Sequence, residues 1–184
     1  DDCLVVLRQL AEALTAIHAV GQVLRDLTPA QVLCRRGPSG LDAVLVDLGF
    51  ARSSREDTGL TDPAAAVGTP GYLAPEMLDA STPTPQADVY SLAAVAYGLF
   101  SGMAPFGGMG PEAALAAQYA GIIPSLAADC GLGPHQREGL DELLSQALSP
   151  NPADRPESPG EFVSKLAAVL SRAPSPWSRL WNRR

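Results

Sequence analysis

The chain has 184 residues, 46% of them apolar and 18% charged, which suits one domain, or one domain with a tail, and excludes a disordered chain. With 20 acidic against 13 basic residues its net charge is −7, a sign that repels phosphate backbones and excludes nucleic acid as the main partner. The longest apolar run, Leu92–Phe100, has nine residues, half of the roughly 18 a membrane span needs. With no basic and apolar leader at the start, the chain reads as soluble and cytoplasmic, either free or on the cytoplasmic side of a membrane protein.

Leu7, Leu10, Leu14 and Ile17 share one face of a helix predicted over Leu4–Val20. Asp1 and Asp2 precede it as cap and dipole partners, and Gly21 sits where it stops. Two short β-like runs, Val32–Cys34 and Ala43–Val46, flank the turn signal Gly37-Pro38-Ser39-Gly40 and predict a hairpin. Residues 49–70 are polar and aperiodic, and a loop of that length is uncommon in a compact domain unless it has a function. Helical signals dominate afterwards. Asp88–Ser101 is apolar nearly all round and therefore central. Pro111–Tyr119, Pro134–Leu148 and Pro159–Ser171 each open on a proline that suits a first turn. The expected fold is mainly α, a helical bundle with one small β-hairpin near the start.

The domain is expected over residues 1–171 and a tail over 172–184. The tail holds Arg172, Arg179, Arg183 and Arg184 and no acid, so it carries +4 and the rest of the chain −11. Trp177 and Trp181, four apart beside Leu180, suit a short helix at a membrane surface or on a partner, or a segment folded back on the domain. The three cysteines, Cys3, Cys34 and Cys130, are widely spaced; they form neither a disulfide framework nor a zinc site and read as buried thiols. His18 reads as a packed, hydrogen-bonded histidine and His135 as a solvated one. Lys165 is the only lysine.

Five segments in fixed order carry the chemistry: Leu24-Arg25-Asp26-Leu27-Thr28-Pro29-Ala30-Gln31-Val32-Leu33, Asp47-Leu48-Gly49, Gly68-Thr69-Pro70-Gly71-Tyr72-Leu73-Ala74-Pro75-Glu76, Asp88-Val89-Tyr90-Ser91-Leu92 and Pro152-Ala153-Asp154-Arg155-Pro156. Together they resemble, in sequence, the catalytic loop, magnesium-binding turn, end of the activation segment, central helix and final turn of the Ser/Thr protein kinases. The resemblance runs over Leu4–Ser171 and covers only the C-terminal lobe of a kinase, with the N-terminal lobe absent.

The resemblance implies a role for each residue. Asp26 accepts the proton of an incoming Ser or Thr hydroxyl, and Asp47 holds the magnesium that bridges the nucleotide phosphates. Arg25 stands where the family pairs an Arg with a phosphate on the activation loop, for which Ser53, Ser54, Thr58 and Thr61 are candidate acceptors. Leu33, flanked by Val32 and Cys34, forms the floor under an adenine ring. Thr69 and Gly71 shape the substrate groove, Glu76 pairs with Arg155, and Asp88 holds the catalytic loop through its backbone groups. ATP and magnesium are the implied cofactors, given an N-terminal lobe. The implied partner is a protein, as substrate or ligand, at the activation segment.

Departures from the family pattern gather in the catalytic loop. Leu24 replaces a His that mainly orients the loop. Thr28 replaces the lysine that contacts the γ-phosphate, removing a positive charge. Gln31 replaces the Asn that holds a second magnesium, and its side chain is one methylene longer. A misplacement near 1 Å can cost on the order of 100-fold in rate. Nothing matches the Gly-rich loop, and Lys165, in the last helix, cannot be the ATP-anchoring lysine. The chain by itself is therefore expected neither to bind ATP tightly nor to transfer phosphate. Two readings stand: a pseudokinase-type binding module, or the substrate lobe of an active kinase once an upstream lobe is supplied. A helical domain unrelated to kinases is a third.

Overall fold

The computed structural model of the chain describes residues 2–38, 40–46, 52–53, 71–78 and 82–171. In chain order its elements are α1 (Asp2–Ala19), β1 (Gln22–Val23), β2 (Val32–Gly37), β3 (Gly40–Leu45), β4 (Arg52–Ser53), α2 (Pro75–Leu78), α3 (Pro85–Ser101), α4 (Pro111–Ala120), α5 (Pro134–Ala147) and α6 (Pro159–Leu170), with short 3-10 turns at Pro29–Gln31 and Pro152–Asp154. The fold is mainly α, as expected.

Helix α3 occupies the centre because its sequence lets it be covered on every side: Ala87 through Tyr97 are all buried, and small residues at 87, 93, 94 and 96 admit close neighbours. It starts three residues earlier than the apolar pattern predicts, since Pro85 after Thr84 is itself suited to a first turn. It stops at Gly102, whose φ of +79° is the left-handed geometry of a helix end. Helices α1, α5 and α6 pack around it. From α1 come Val6, Leu7, Leu10 and Leu14; from α6, Phe162, Val163, Leu166 and Val169. Ser158 caps α6, its hydroxyl oxygen accepting the Glu161 N–H at 3.1 Å.

The hairpin β2–β3 is longer than its sequence signal, pairing Val32 with Leu45 through to Gly37 with Gly40. Polar side chains seat it on α1: Gln9 donates to Leu41 O at 3.0 Å and accepts the Ala43 N–H, and Arg36 pairs with Asp2. Beyond Val32 the strand stands clear of the core. Cys34 is exposed there, and Cys3 and Cys130 are only partly buried, so the expectation of buried thiols is corrected by the hairpin's open face and by the rim positions of the other two. A second correction falls in the stretch expected to be one long loop. Its residues Arg52–Ser53 form β4, antiparallel to β1, a two-residue pairing too short to leave a periodic signal. Among the described residues no helix is long and apolar enough to cross a membrane.

Candidate functional site

Between β1 and the first 3-10 turn the chain has no regular structure, yet it is held from three directions. Leu24 and Leu27 are buried beneath it. Asp88, wholly buried in the first turn of α3, accepts the Leu24 N–H on Oδ2 at 2.9 Å and the Arg25 N–H on Oδ1 at 2.7 Å. His18, in the last turn of α1, places Nε2 2.7 Å from the same Oδ2; opposite an ionised carboxylate that nitrogen is the donor. One carboxylate thus ties α1, α3 and the loop together. Arg25 has φ +76°, a left-handed backbone that costs a non-glycine residue about 1–2 kcal/mol. Its N–H bond to Asp88 offsets that cost.

Asp26 follows immediately. Its Oδ1 is buried and has no hydrogen-bond partner among the described residues, and burial raises its carboxyl above the ordinary range. An acceptor oxygen with no internal partner is what a proton-accepting group requires. Thr28, 6% exposed, offers no cation to it. Gln31 closes the turn on Thr28: its Oε1 accepts the Thr28 N–H at 3.0 Å, while its own backbone N–H donates to Thr28 O at 3.1 Å. The Val46 N–H then donates to Gln31 O at 2.9 Å, joining the turn to the end of β3. Leu33, on β2, is 61% exposed and lies opposite the similarly open Val44. On the opposite face of the strand, which Val32 and Cys34 share, Val6, Val32, Tyr72, Val95 and Leu99 border an apolar hollow of about 320 Å³.

The segment at 71–76 is anchored from below. Gly71 has φ +92°, and a Cβ there would run into Pro105 O, so glycine is required on two grounds. Ser91 of α3 donates to Tyr72 O at 2.8 Å. Gln118 of α4 donates to Leu73 O and, at 2.9 Å, to the Tyr90 hydroxyl, which burial pushes well above its usual range. Glu76 meets Arg155 in a two-pronged pair, with Nη1–Oε1 2.6 Å and Nη2–Oε2 2.7 Å. The three remaining N–H bonds of the guanidinium go to the carbonyls of Ser149, Gln86 and Pro150. All five donors are used, and the group lies 4.9 Å from the Tyr90 ring centre.

The structure therefore brings Arg25, Asp26, Thr28, Gln31 and Asp88 into one neighbourhood, and Gly71, Glu76 and Arg155 into another. Of the other sequence candidates, Asp47, Ser54, Thr58, Thr61 and Thr69 lie outside the described residues, as does the 172–184 tail; Ser53 is described only as part of the β4 backbone. The anchoring roles of Ser91 and Gln118 emerge only from the fold, since no local pattern distinguishes these two residues. His18 is hydrogen-bonded as expected, but its partner lies 70 residues away, beyond the reach of any local signal. His135 is exposed, 3.9 Å from Glu138.

A family profile described as protein kinase domain matches residues 1–165. The chain belongs to the protein kinase family. The serine/threonine-protein kinase PknJ of Mycobacterium tuberculosis is 35% identical over 167 residues, covering 90% of this chain and 28% of that protein. Serine/threonine-protein kinase pkn2 of Myxococcus xanthus is 34% identical over 168 residues, and PkaB of Streptomyces coelicolor 36% over 170. Among solved structures, a double mutant of the Mycobacterium tuberculosis PknI kinase domain superposes with a TM-score of 0.65 at 28% identity, covering 92% of this chain and 55% of that one. This kinase-family chain thus spans about half of that kinase domain and about a quarter of PknJ.

Proposed function

We propose that this chain is the substrate-side, C-terminal lobe of a cytoplasmic Ser/Thr protein kinase-like protein in which phosphoryl transfer is weak or lost, and that the surface around Gly71–Glu76 serves it as a protein-binding platform. One observation carries the reading. Gln31 Oε1, the atom a second metal would take, is turned inward to accept the Thr28 N–H and keeps one lone pair, and residue 28 supplies no cation. Bound ATP and magnesium would bring the transferable phosphoryl group and neutralise its charge, with Asp47 as the residue to hold the metal. Thr28 adds no charge to that neutralisation, which is most of what a phosphotransfer site contributes. Leu33 supplies an exposed apolar surface on which an adenine could rest.

A second reading has its own support. Asp26 keeps a buried oxygen without a partner among the described residues, on a loop fixed by Asp88, an arrangement suited to accepting a hydroxyl proton. That reading makes the chain the substrate lobe of an active kinase. The deciding experiment supplies the nucleotide-binding lobe in a longer chain and measures phosphate incorporation from magnesium-ATP into Ser/Thr peptides. The expected result is incorporation on the order of 100-fold below an active relative, raised by Thr28→Lys with Gln31→Asn. Turnover at the roughly 1–100 per second of active kinases, abolished by Asp26→Ala, would establish the second reading instead.

A further inference from the structure

One hollow bounded by described residues shares no lining residue with the catalytic loop. It is an open groove of about 760 Å³ between α1 and α6. Ala11 and Val163 are buried at its floor, while Ala16, Ala19 and Gly160 are exposed along its walls. On α6 the lining residues 160, 163, 164 and 167 follow the spacing of a helix face that ordinarily meets a partner. Among the described residues nothing covers it.

We propose that the segment following α6 folds back into this groove and seats Trp177 and Trp181 between α1 and α6. Reach permits it. From Val163 to Ser171 the helix rises about 12 Å, and the five residues 172–176 span roughly 17 Å when extended, so Trp177 can return to the level of Val163. Pro174 and Pro176 stiffen this connection and discourage continuation of α6. Spacing fits as well: on a helical turn Trp177, Leu180 and Trp181 fall on one face, and two indoles are large where Ala11, Ala16 and Gly160 leave room. Charge favours the approach, because the segment carries +4 against −11 on the rest of the chain. Of the two charged residues lining the groove, Glu12 attracts the segment and Arg8 does not; the apolar contact therefore does the seating. A tether this short gives an effective concentration in the mM range, so even a weak groove is filled.

The chain's two tryptophans both lie in this segment, so intrinsic tryptophan fluorescence reads it alone. The 184-residue chain is expected to emit at shorter wavelength than the free peptide 172–184 and to be quenched several-fold less by acrylamide, independently of protein concentration. Ala16→Arg with Ser164→Arg, at two exposed groove positions, should return both readings to the peptide values while the far-ultraviolet circular dichroism holds. If that pair fails to fold, the peptide comparison and the single Thr15→Arg decide. Identical emission from chain and peptide would overturn the proposal, as would a shift that survives the Arg substitutions. A shift that grows with concentration would overturn it by assigning the groove to a second copy. One that appears only on adding phosphatidylserine vesicles would overturn it by assigning the tryptophans to a bilayer surface.

Discussion

Replacing Glu76 by Ala removes both carboxylate bonds from Arg155 and leaves its guanidinium, with none of its side chain exposed, holding a charge faced by three backbone carbonyls and the Tyr90 ring but by no anion. Breaking a buried ion pair by deleting one partner costs about 3–5 kcal/mol, because the stranded charge cannot recover its water. Glu76 is 13% exposed, so truncation opens a narrow path for solvent, and the lower part of that range, about 3–4 kcal/mol, is expected. For a domain of this size that corresponds to a fall in Tm of roughly 6–16 °C. Urea unfolding followed by circular dichroism measures it, with Glu76→Gln as the control. Gln keeps the shape and one acceptor oxygen but loses the charge, so it should cost about half as much. Because the pair is buried, the losses should be nearly the same at low and high salt. A loss under about 1 kcal/mol for Glu76→Ala, or equal losses for Ala and Gln, would refute the claim that Arg155 depends on this carboxylate.

Asp88→Asn leaves one acceptor oxygen where three donors now converge, so Leu24 or Arg25 loses its bond; a destabilisation of about 1–3 kcal/mol is expected, with faster amide hydrogen exchange at those two residues as the specific signature. Gly71→Ala forces a left-handed backbone and a collision with Pro105 O, and should cost at least about 2 kcal/mol in a thermal melt. Asp26 has a raised carboxyl pKa in the fold, so the folded chain holds its proton more tightly than the unfolded one. Its effect on stability is therefore neutral below the unfolded value near 3.8 and unfavourable once pH rises through the folded value. Asp26→Asn should match the parent in acid and exceed it in stability at neutral pH; equal pH profiles for the two would show that the buried oxygen is solvated after all.

Much of this molecule is readable one segment at a time. The α1 stripe at 7, 10 and 14, the all-apolar α3 and the prolines that open α4, α5 and α6 are local signals, because helix periodicity and first-turn chemistry depend on residues within a few positions of each other. The kinase-like segments are equally local, which is why the family resemblance is legible in the order of the residues alone. What cannot be read that way is what distant residues share. Gln118 looks like a surface residue on α4, yet it is buried against Leu73 and Tyr90, while Leu115 and Tyr119 of the same helix face outward. No periodicity predicts an inverted helix. The fold alone reveals it, because two groups on other segments lie within reach of the one amide.

The catalytic loop divides in the same way. Its sequence determined which chemical groups are present: the carboxylate of Asp26, the amide of Gln31 and no lysine beside them. Where those groups point was decided by tertiary structure. Asp88 came from 63 residues away to hold the Arg25 backbone, Gln31 turned its amide inward to Thr28, and Asp26 was left with an oxygen that finds no partner among the described residues. Such outcomes depend on which donors and acceptors folding brings within about 3 Å of one another, a competition among groups far apart in the chain that no single stretch of residues records.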